Sequence, residues 1–496
     1  MERGGEAAHR APAVDGAAPG APRWTRGGRW RVLVAGFGVA AFAWNLVGIG
    51  TPQPWRDESA TWWSTQRSLP DLLSMLGSVD AVHGLYYLAL RAWVPVFSDS
   101  LFSLRAFSAL GVAVGVALVM LVATRMFGPV AALGAGLGYG VLPPLTWAAT
   151  EARSYAWTAV LSSAMALAFW VALRRNGWGR WAGYAVVVVV AVHGFVYNLL
   201  VLAAVLVALP WLPRGRRRRA VLATAAATLA CVPFVLLVAS QSSQVSWLAT
   251  YPVTATDVTM GVFWGTTTPA QYGGSVLLVV SLGVAVFSWI RGRDRAAIAY
   301  AAGWLLLPVG ILVALLPVVQ LYHRRYLLIC IPALALLLGV LVDRLGRVWL
   351  RLAVLAVVVA LGVPGYLGSR EPDAKLTAAP AADQLAAVAR PGDGLYIVDQ
   401  DVNALAWSFP DQVRGLTDLS APGDDRWRSH DLFPPSVPVG ELGSRLDGVR
   451  RVWIWSLPER VDEVVAEFAA EGFHKSQRIR AKDHYRTNLV LLERRD

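Results

Sequence analysis

Long apolar blocks alternate along this chain with short polar joints, many of them rich in arginine. Eleven blocks stand out, at 32–50, 104–124, 129–147, 156–173, 182–195, 196–213, 219–239, 274–290, 296–318, 326–342 and 347–366. Blocks near this length match the ~20 residues that a helix rising 1.5 Å per residue needs to cross about 30 Å of hydrocarbon. The pattern predicts an all-α polytopic membrane bundle of about 11 transmembrane helices. The block after Arg31 lacks a clear small-residue cleavage site and reads as a retained first span. A further stretch, HGLYYLALRAWVPVFS at 83–98, is apolar enough to count as a span. Counting it would put the arginine cluster at 214–219 on the side opposite the others. It is therefore laid along the membrane surface as an amphipathic or re-entrant piece.

Arginine clusters then set the sides. With eleven spans, Arg26–Arg31, Arg174–Arg180, Arg214–Arg219, Arg291–Arg295 and Arg344–Arg347 all face the cytoplasm. The expectation is a multi-pass protein of the plasma membrane with a cytoplasmic N-terminus. Residues 1–29, rich in Ala, Gly, Pro and Arg, read as a disordered cytoplasmic tail, and 30–368 as the transmembrane domain with a large external loop at 51–103. Segments near 148–155, 240–273 and 323–325 also fall outside. Beyond 368 the chain becomes more charged and carries alternating strands GLYIVD (394–399), RVWIWSL (451–457) and TNLVLLER (487–494), with a helical pattern at 460–473. These predict a small external α/β C-terminal domain over 369–496.

Composition changes the picture by exclusion. The 496 residues are 56% hydrophobic and 16% charged, against about 25% charged in soluble proteins; a soluble enzyme, a fibre and a disordered chain are excluded. Net charge is +12, but three of the 45 basic residues are lysine (Lys375, Lys475, Lys482), a compositional arginine bias. No basic stripe with interleaved aromatics accompanies it, so no nucleic-acid partner is expected. Cys231 and Cys330 lie in apolar blocks and offer neither a disulfide framework nor metal spacing.

Acidic residues at a membrane face are costly to retain. PQPWRDESATWW presents Asp57 and Glu58 just after the first span; DAVHGLYY places Asp80 and His83 three apart, on one helical face; WAATEARSYAW supplies Glu151 and Arg153. All fall on the external side. A cleft holding carboxylates, a histidine and arginines suits proton abstraction beside a phosphate leaving group. Taken alone, the Asp–Glu pair fits equally a solvated loop or a helix N-terminus. His193, at a hairpin between two spans, is a cavity lining or a helix break. His323, Arg324, Arg325 and Tyr326 read either as headgroup anchors or as a phosphate clamp of guanidinium forks. Asp399, Gln400 and Asp401 mimic a metal- and nucleotide-binding D-x-D. No glycine loop accompanies them and nucleotide sugars are not expected outside the cytoplasm, so they are assigned no role.

In order and spacing these motifs resemble the GT-C superfamily of integral-membrane glycosyltransferases, in the branch of protein O-mannosyltransferases and lipid A aminoarabinose transferases. The matching pieces are the acidic pair Asp57–Glu58 and Asp80 to Tyr87, similar to the family's D-x-H-P-P-L-Y-Y. LRAFSALG at 104–111 resembles its R-L-P-S-A-L, TEARSYAW its Q-A-R-x-Y, and HRRYLLICIPALALLLG its R-Y-L-x-P-x-x-P, over about residues 30–345. Departures are Gly84 and Phe107, each in place of a proline, and Glu151 where relatives often have Gln. The resemblance implies a GT-C-like catalytic domain with a polyprenyl-phosphate sugar donor, membrane lipids around it, and an acceptor hydroxyl on a glycan, lipid or protein. By analogy the sugar is mannose ahead of arabinose. Asp57 would be the general base in a single inverting displacement, with Glu58, Asp80 and His83 orienting groups or helping to hold a metal. A divalent metal stays open, since members differ. Arg324 and Arg325 would neutralise the departing lipid phosphate, and Tyr86, Glu151, Arg153, His193, His323 and Tyr326 would line the substrate site. Competing readings are a lipid-linked sugar transporter or flippase, for which inverted repeats and midplane helix breaks are missing from the sequence, and a non-catalytic membrane subunit.

Overall fold

A computed structural model describes residues 27–398 and 408–494, apart from the side chains of 424–426. Residues 1–26 of the expected tail and the Asp399–Asp401 motif lie outside the described residues. Each of the eleven apolar blocks lies on a helical segment. Helix α1 (Gly28–Leu46) precedes three shorter helices, α2 (Arg56–Gln66), α3 (Leu69–Ser78) and α4 (Gly84–Phe97). Then come α5 (Leu101–Met126), α6 (Pro129–Val141), α7 (Pro143–Ala149), α8 (Tyr155–Arg175), α9 (Trp178–Gly194), α10 (Ala203–Ala208) and α11 (Arg214–Ser240). A single turn, α12 (Val262–Trp264), leads to α13 (Thr268–Ile290), α14 (Arg295–Leu315), α15 (Ile331–Arg344) and α16 (Val348–Gly368).

Among the described residues, seven segments are long and apolar enough to cross a membrane: α5, α8, α11, α13, α14, α15 with its leading 3-10 turn from Arg324, and α16. The block at 129–147 is not one helix. It breaks at Leu142 because Pro143 lacks an N–H and forces the preceding residue into extended backbone, φ −60° and ψ 130°. Helix α4, with 14 residues, reaches about 21 Å at 1.5 Å per residue and is too short to cross. It packs on α2, α5 and α9.

Helix α15 is the innermost, packed on α6, α13 and α14. Its approach to α6 depends on Gly339, where a Cβ would stand 2.3 Å from the Ala131 carbonyl oxygen, the small-residue device that lets membrane helices meet closely. At the periphery, α11, α13 and α16 leave Leu229, Val279, Val348 and Leu352 exposed, apolar surface suited to hydrocarbon rather than water.

The bundle has two chemically distinct ends. At one, Arg174 donates to the Arg125 carbonyl, Arg219 to the Asn176 carbonyl, and Arg344 pairs with Asp294 at 2.5 Å. At the other lie Trp55, Arg105, Tyr155, Arg325 and Lys375. The 21 residues of α8 separate the two by about 31 Å.

After α16 come α17 (Ala379–Val388), β1 (Gly394–Ile397), β2 (Thr417–Asp418), β3 (Arg451–Ser456), α18 (Val461–Ala470), β4 (Phe473–Arg480) and β5 (Asn488–Arg494). The strands form one mixed sheet in the order β2-β1-β3-β5-β4, parallel from β2 to β3 and antiparallel through β5 to β4. Alternate residues of β3 and β5 serve opposite faces: Trp453, Trp455, Leu489 and Leu491 pack with α17, whereas Val452, Ile454, Val490 and Leu492 pack with α18. The apolar runs at 451–457 and 487–494 are therefore strands, as their pattern suggested. Strand β4 was invisible in the sequence because it is an edge strand whose Lys475, Arg478 and Arg480 face solvent or its margin. The C-terminal region touches α2 directly. Arg67 donates to the carbonyls of Trp427 (3.1 Å), Ser429 and Asp431 (2.6 Å), and Trp427 and Phe433 pack with Trp63.

Candidate active site

Trp55 caps α2, so Asp57 and Glu58 occupy its first turn, where the helix dipole favours negative charge. Adjacent helical residues point about 100° apart, and the two carboxylates meet different surroundings.

Glu58 turns inward and is fully buried. Arg105 from α5 grips it with two parallel bonds, Nε to Oε1 and Nη2 to Oε2, each 2.7 Å. The same guanidinium donates to the carbonyls of Ile49 (2.9 Å) and Pro52 (2.8 Å), fixing the exit from α1. Lys375, from the segment after α16, places Nζ 3.0 Å from Glu58 Oε1 and 2.9 Å from Glu151 Oε1, and also donates to the Thr150 carbonyl. Trp55 Nε1 donates to Glu151 Oε2 at 2.9 Å, and the Ala152 amide donates to Glu58 Oε1 at 3.1 Å. Two cations thus neutralise two buried carboxylates, as burial requires.

The two acids respond oppositely. Burial alone would raise both; at Glu58, Arg105 and Lys375 outweigh it and hold the carboxyl down to about 2. At Glu151 burial prevails over Lys375, with Glu58 adding repulsion, and lifts it to about 7. A carboxyl raised in the fold favours the protonated protein, so the stability linked to Glu151 is complete below its ordinary 4.5 and is lost as pH rises towards 7. Glu151→Gln is therefore expected to remove part of the fall in thermal midpoint between those pH values, as read by melting curves of the purified protein across that range.

Asp57 points towards Arg325, with Nη1 to Oδ2 at 3.0 Å and both side chains 14% exposed. Burial raises its carboxyl, but the guanidinium groups of Arg325, Arg153 and Arg56 together hold it below the ordinary carboxylate value. The Arg325 guanidinium lies within 6 Å of four ring centres: Trp55 (5.8 Å), Tyr155 (5.7 Å), Trp247 (5.3 Å) and Tyr326 (5.6 Å). Among the described residues its Nε is buried without a hydrogen-bond partner. Beside this pair, Asp80 Oδ2 accepts from Arg153 Nη1 at 3.2 Å and from the Tyr87 hydroxyl. Asp80 sits in left-handed backbone, φ 59°, with its amide bonded to Gln244 Oε1 at 3.1 Å. His83 Nδ1 lies 2.8 Å from Ser154 Oγ. Burial and then Arg153 push its imidazole down to about 3, so it is neutral at physiological pH.

Of the remaining residues expected at the site, His323 and Tyr326 touch Arg325, whereas the contacts of His193 lie within its own helix and on Phe234. His323 Nδ1 accepts from the Arg325 amide at 3.4 Å, and its ring packs with Trp247, Tyr251 and Tyr326. Arg324 is half-buried and forms no hydrogen bond or ion pair among the described residues. The Tyr86 hydroxyl bonds Ser108 Oγ at 3.1 Å, within a core of Leu104, Phe107 and Tyr87. His193 bonds the carbonyl of Val189 in its own helix at 2.8 Å and stacks on Phe234 at 4.4 Å. Sequence reasoning gave no role to Arg105, Lys375, Trp55, Tyr155, Trp247 or Tyr87. Lys375 left one signal, a lysine directly after the last long apolar block in an arginine-biased chain.

Among the described residues, no three His, Cys, Asp or Glu side chains converge as metal ligands. The carboxylates of Asp57, Glu58, Asp80 and Glu151 each face a guanidinium or ammonium instead. This arrangement does not fit the divalent metal that the resemblance leaves open.

No protein-family model and no curated protein matches the chain. Solved structures do. ArnT from Cupriavidus metallidurans in the apo state aligns with a TM-score of 0.57 at 16% identity, covering 93% of this chain and 97% of its own. The same protein bound to undecaprenyl phosphate aligns at 0.54 and 16% identity, covering 93% and 98%. The oligosaccharyltransferase of Archaeoglobus fulgidus in the apo form aligns at 0.52 and 10% identity, covering 87% and 70%. At these identities the likeness concerns the fold alone: the chain shares the overall fold of these solved membrane proteins.

Proposed function

We propose that this protein transfers a sugar from a polyprenyl-phosphate donor to an acceptor hydroxyl, with Asp57 as general base. The observation that carries the reading is the Asp57–Arg325 pair at 3.0 Å, a base and an anion receptor held side by side. The acceptor hydroxyl gives its proton to the Asp57 carboxylate as its oxygen bonds the anomeric carbon. The bond from that carbon to the phosphate oxygen breaks, and the lipid phosphate leaves with the electron pair. One displacement inverts the anomeric centre.

Arg325 links the two halves. At rest its charge is shared with Asp57, which makes the carboxylate a weak base. Its unpartnered Nε leaves a donor for a phosphate oxygen. As negative charge grows on the departing phosphate, the guanidinium is drawn to it and Asp57 becomes a stronger base when the proton must move. Arg324, without an ion pair of its own among the described residues, supplies the second guanidinium. Glu58, with both oxygens committed to Arg105 and Lys375, holds α2 in place rather than moving a proton.

The placement of the site at the end opposite the arginine clusters supports an external active site and a C-terminal domain, 369–496, on the outer face. The solved relatives carry undecaprenyl phosphate in one case and dolichol-phosphate with an inhibitory peptide in another, which supports a lipid-phosphate donor here. Mannose is the sugar proposed, by analogy with the family the sequence motifs resemble. Purified protein incubated with polyprenyl-phosphate mannose or arabinose, and envelope glycans compared with and without the gene, test donor and acceptor together; transfer of neither sugar sinks the assignment. Arg324→Gln is expected to raise the KM for donor by about tenfold, the loss of one charge-assisted contact of ~1.5 kcal/mol, with a smaller change in kcat.

A further inference from the structure

We infer that Lys375, delivered by the segment between α16 and α17, is a positioning residue that holds Asp57 and Arg325 in register. Its kinetic consequence rests on the proposed function; its geometric consequence does not. The Lys375 ammonium ion-pairs with Glu58 Oε1 at 3.0 Å and with Glu151 Oε1 at 2.9 Å, and donates a hydrogen bond to the Thr150 carbonyl; its contact with Glu151 is electrostatic, without hydrogen-bond geometry. Through Glu58 it fixes the first turn of α2, in which Asp57 is the preceding residue. Through Glu151 it fixes Trp55, whose indole donates to the other carboxylate oxygen and whose ring lies 5.8 Å from the Arg325 guanidinium. One cation therefore ties the base to the aromatic wall of the anion receptor.

The segment bearing Lys375 is itself firmly set. The Gln53 amide donates to the Pro372 carbonyl at 2.9 Å, and Arg370 donates to the Val47 carbonyl at 2.7 Å. Lysine suits the site better than the arginine this chain otherwise favours. Two carboxylate oxygens and a carbonyl crowd one point, where a compact ammonium fits as a point charge and a planar fork does not. Removing the ammonium leaves Glu58 and Glu151 buried with Arg105 as their nearest cation, so one carboxyl must take a proton or the pair must separate.

The test uses full-length protein in detergent or nanodiscs, comparing wild type, Lys375→Met, Lys375→Arg and the double variant Lys375→Met with Glu151→Gln. At equal folded fraction, Lys375→Met and Lys375→Arg should both lose kcat, by up to roughly 100-fold for a misplaced base, with the KM for donor unchanged. Glu151→Gln removes the orphaned charge while keeping an acceptor for Trp55, so the double variant should regain thermal stability and part of kcat. The inference is overturned if folded Lys375→Met retains kcat, if Lys375→Arg behaves as wild type, or if Glu151→Gln rescues nothing. If wild-type protein transfers no sugar, the proposed function fails by itself, and the thermal rescue decides whether the Lys375 clamp exists.

Discussion

Asp57→Asn is expected to lower sugar transfer by about 10²–10⁴-fold, the usual worth of a positioned general base, while the protein still folds. The substitution keeps size and hydrogen-bonding capacity but cannot accept a proton. It also releases Arg325 from its 3.0 Å partner. A guanidinium no longer shared with a carboxylate is more available to the donor phosphate, so the KM for donor should stay level or fall while kcat drops. That combination separates loss of a base from loss of a binding site, which would raise KM. Steady-state transfer measured over a range of radiolabelled donor concentrations reads both quantities. Retained kcat in a correctly folded Asp57→Asn protein would remove Asp57 from the reaction.

The largest effect on stability is expected at Arg105. Arg105 and Glu58 are fully buried and joined by two 2.7 Å bonds; taking one partner from such a pair costs about 3–5 kcal/mol because the other charge is left behind. Arg105→Met also strips donors from the Ile49 and Pro52 carbonyls, so the loss should fall at the upper end. Glu58 has a folded value near 2 and an ordinary one of 4.5. Its contribution is therefore complete above about 4.5 and lost as pH falls towards 2. Arg105→Met should accordingly show its deficit at neutral pH and lose part of it on acidification. Melting curves at several pH values check this, and a deficit that grows on acidification would contradict it. Arg105→Lys keeps the charge but loses the fork, and should fall between the two.

The apolar blocks were legible because burial in hydrocarbon demands long uninterrupted runs, and each run lies on a helical segment. The interruption at Pro143 was also written in the chain, since proline cannot continue the helix before it, yet hydropathy averaged across it. Strands β1, β3 and β5 were visible because they are buried; β4 was not, because an exposed edge strand has no apolar alternation to display.

At the site, Asp57 and Arg325 stand out in sequence as charges at the ends of apolar blocks, but their contact joins residues 268 positions apart. Nothing local distinguishes Asp57 from Glu58. Tertiary structure separates them, by directing one to Arg325 and surrounding the other with Arg105 and Lys375. The chain by itself determined a bundle of apolar helices, a small mixed-sheet region after it, and a set of costly charges at one end. Which charge meets which was decided by packing, because ion-pair partners are selected by distance and dielectric in three dimensions, and neither quantity is encoded at any one position.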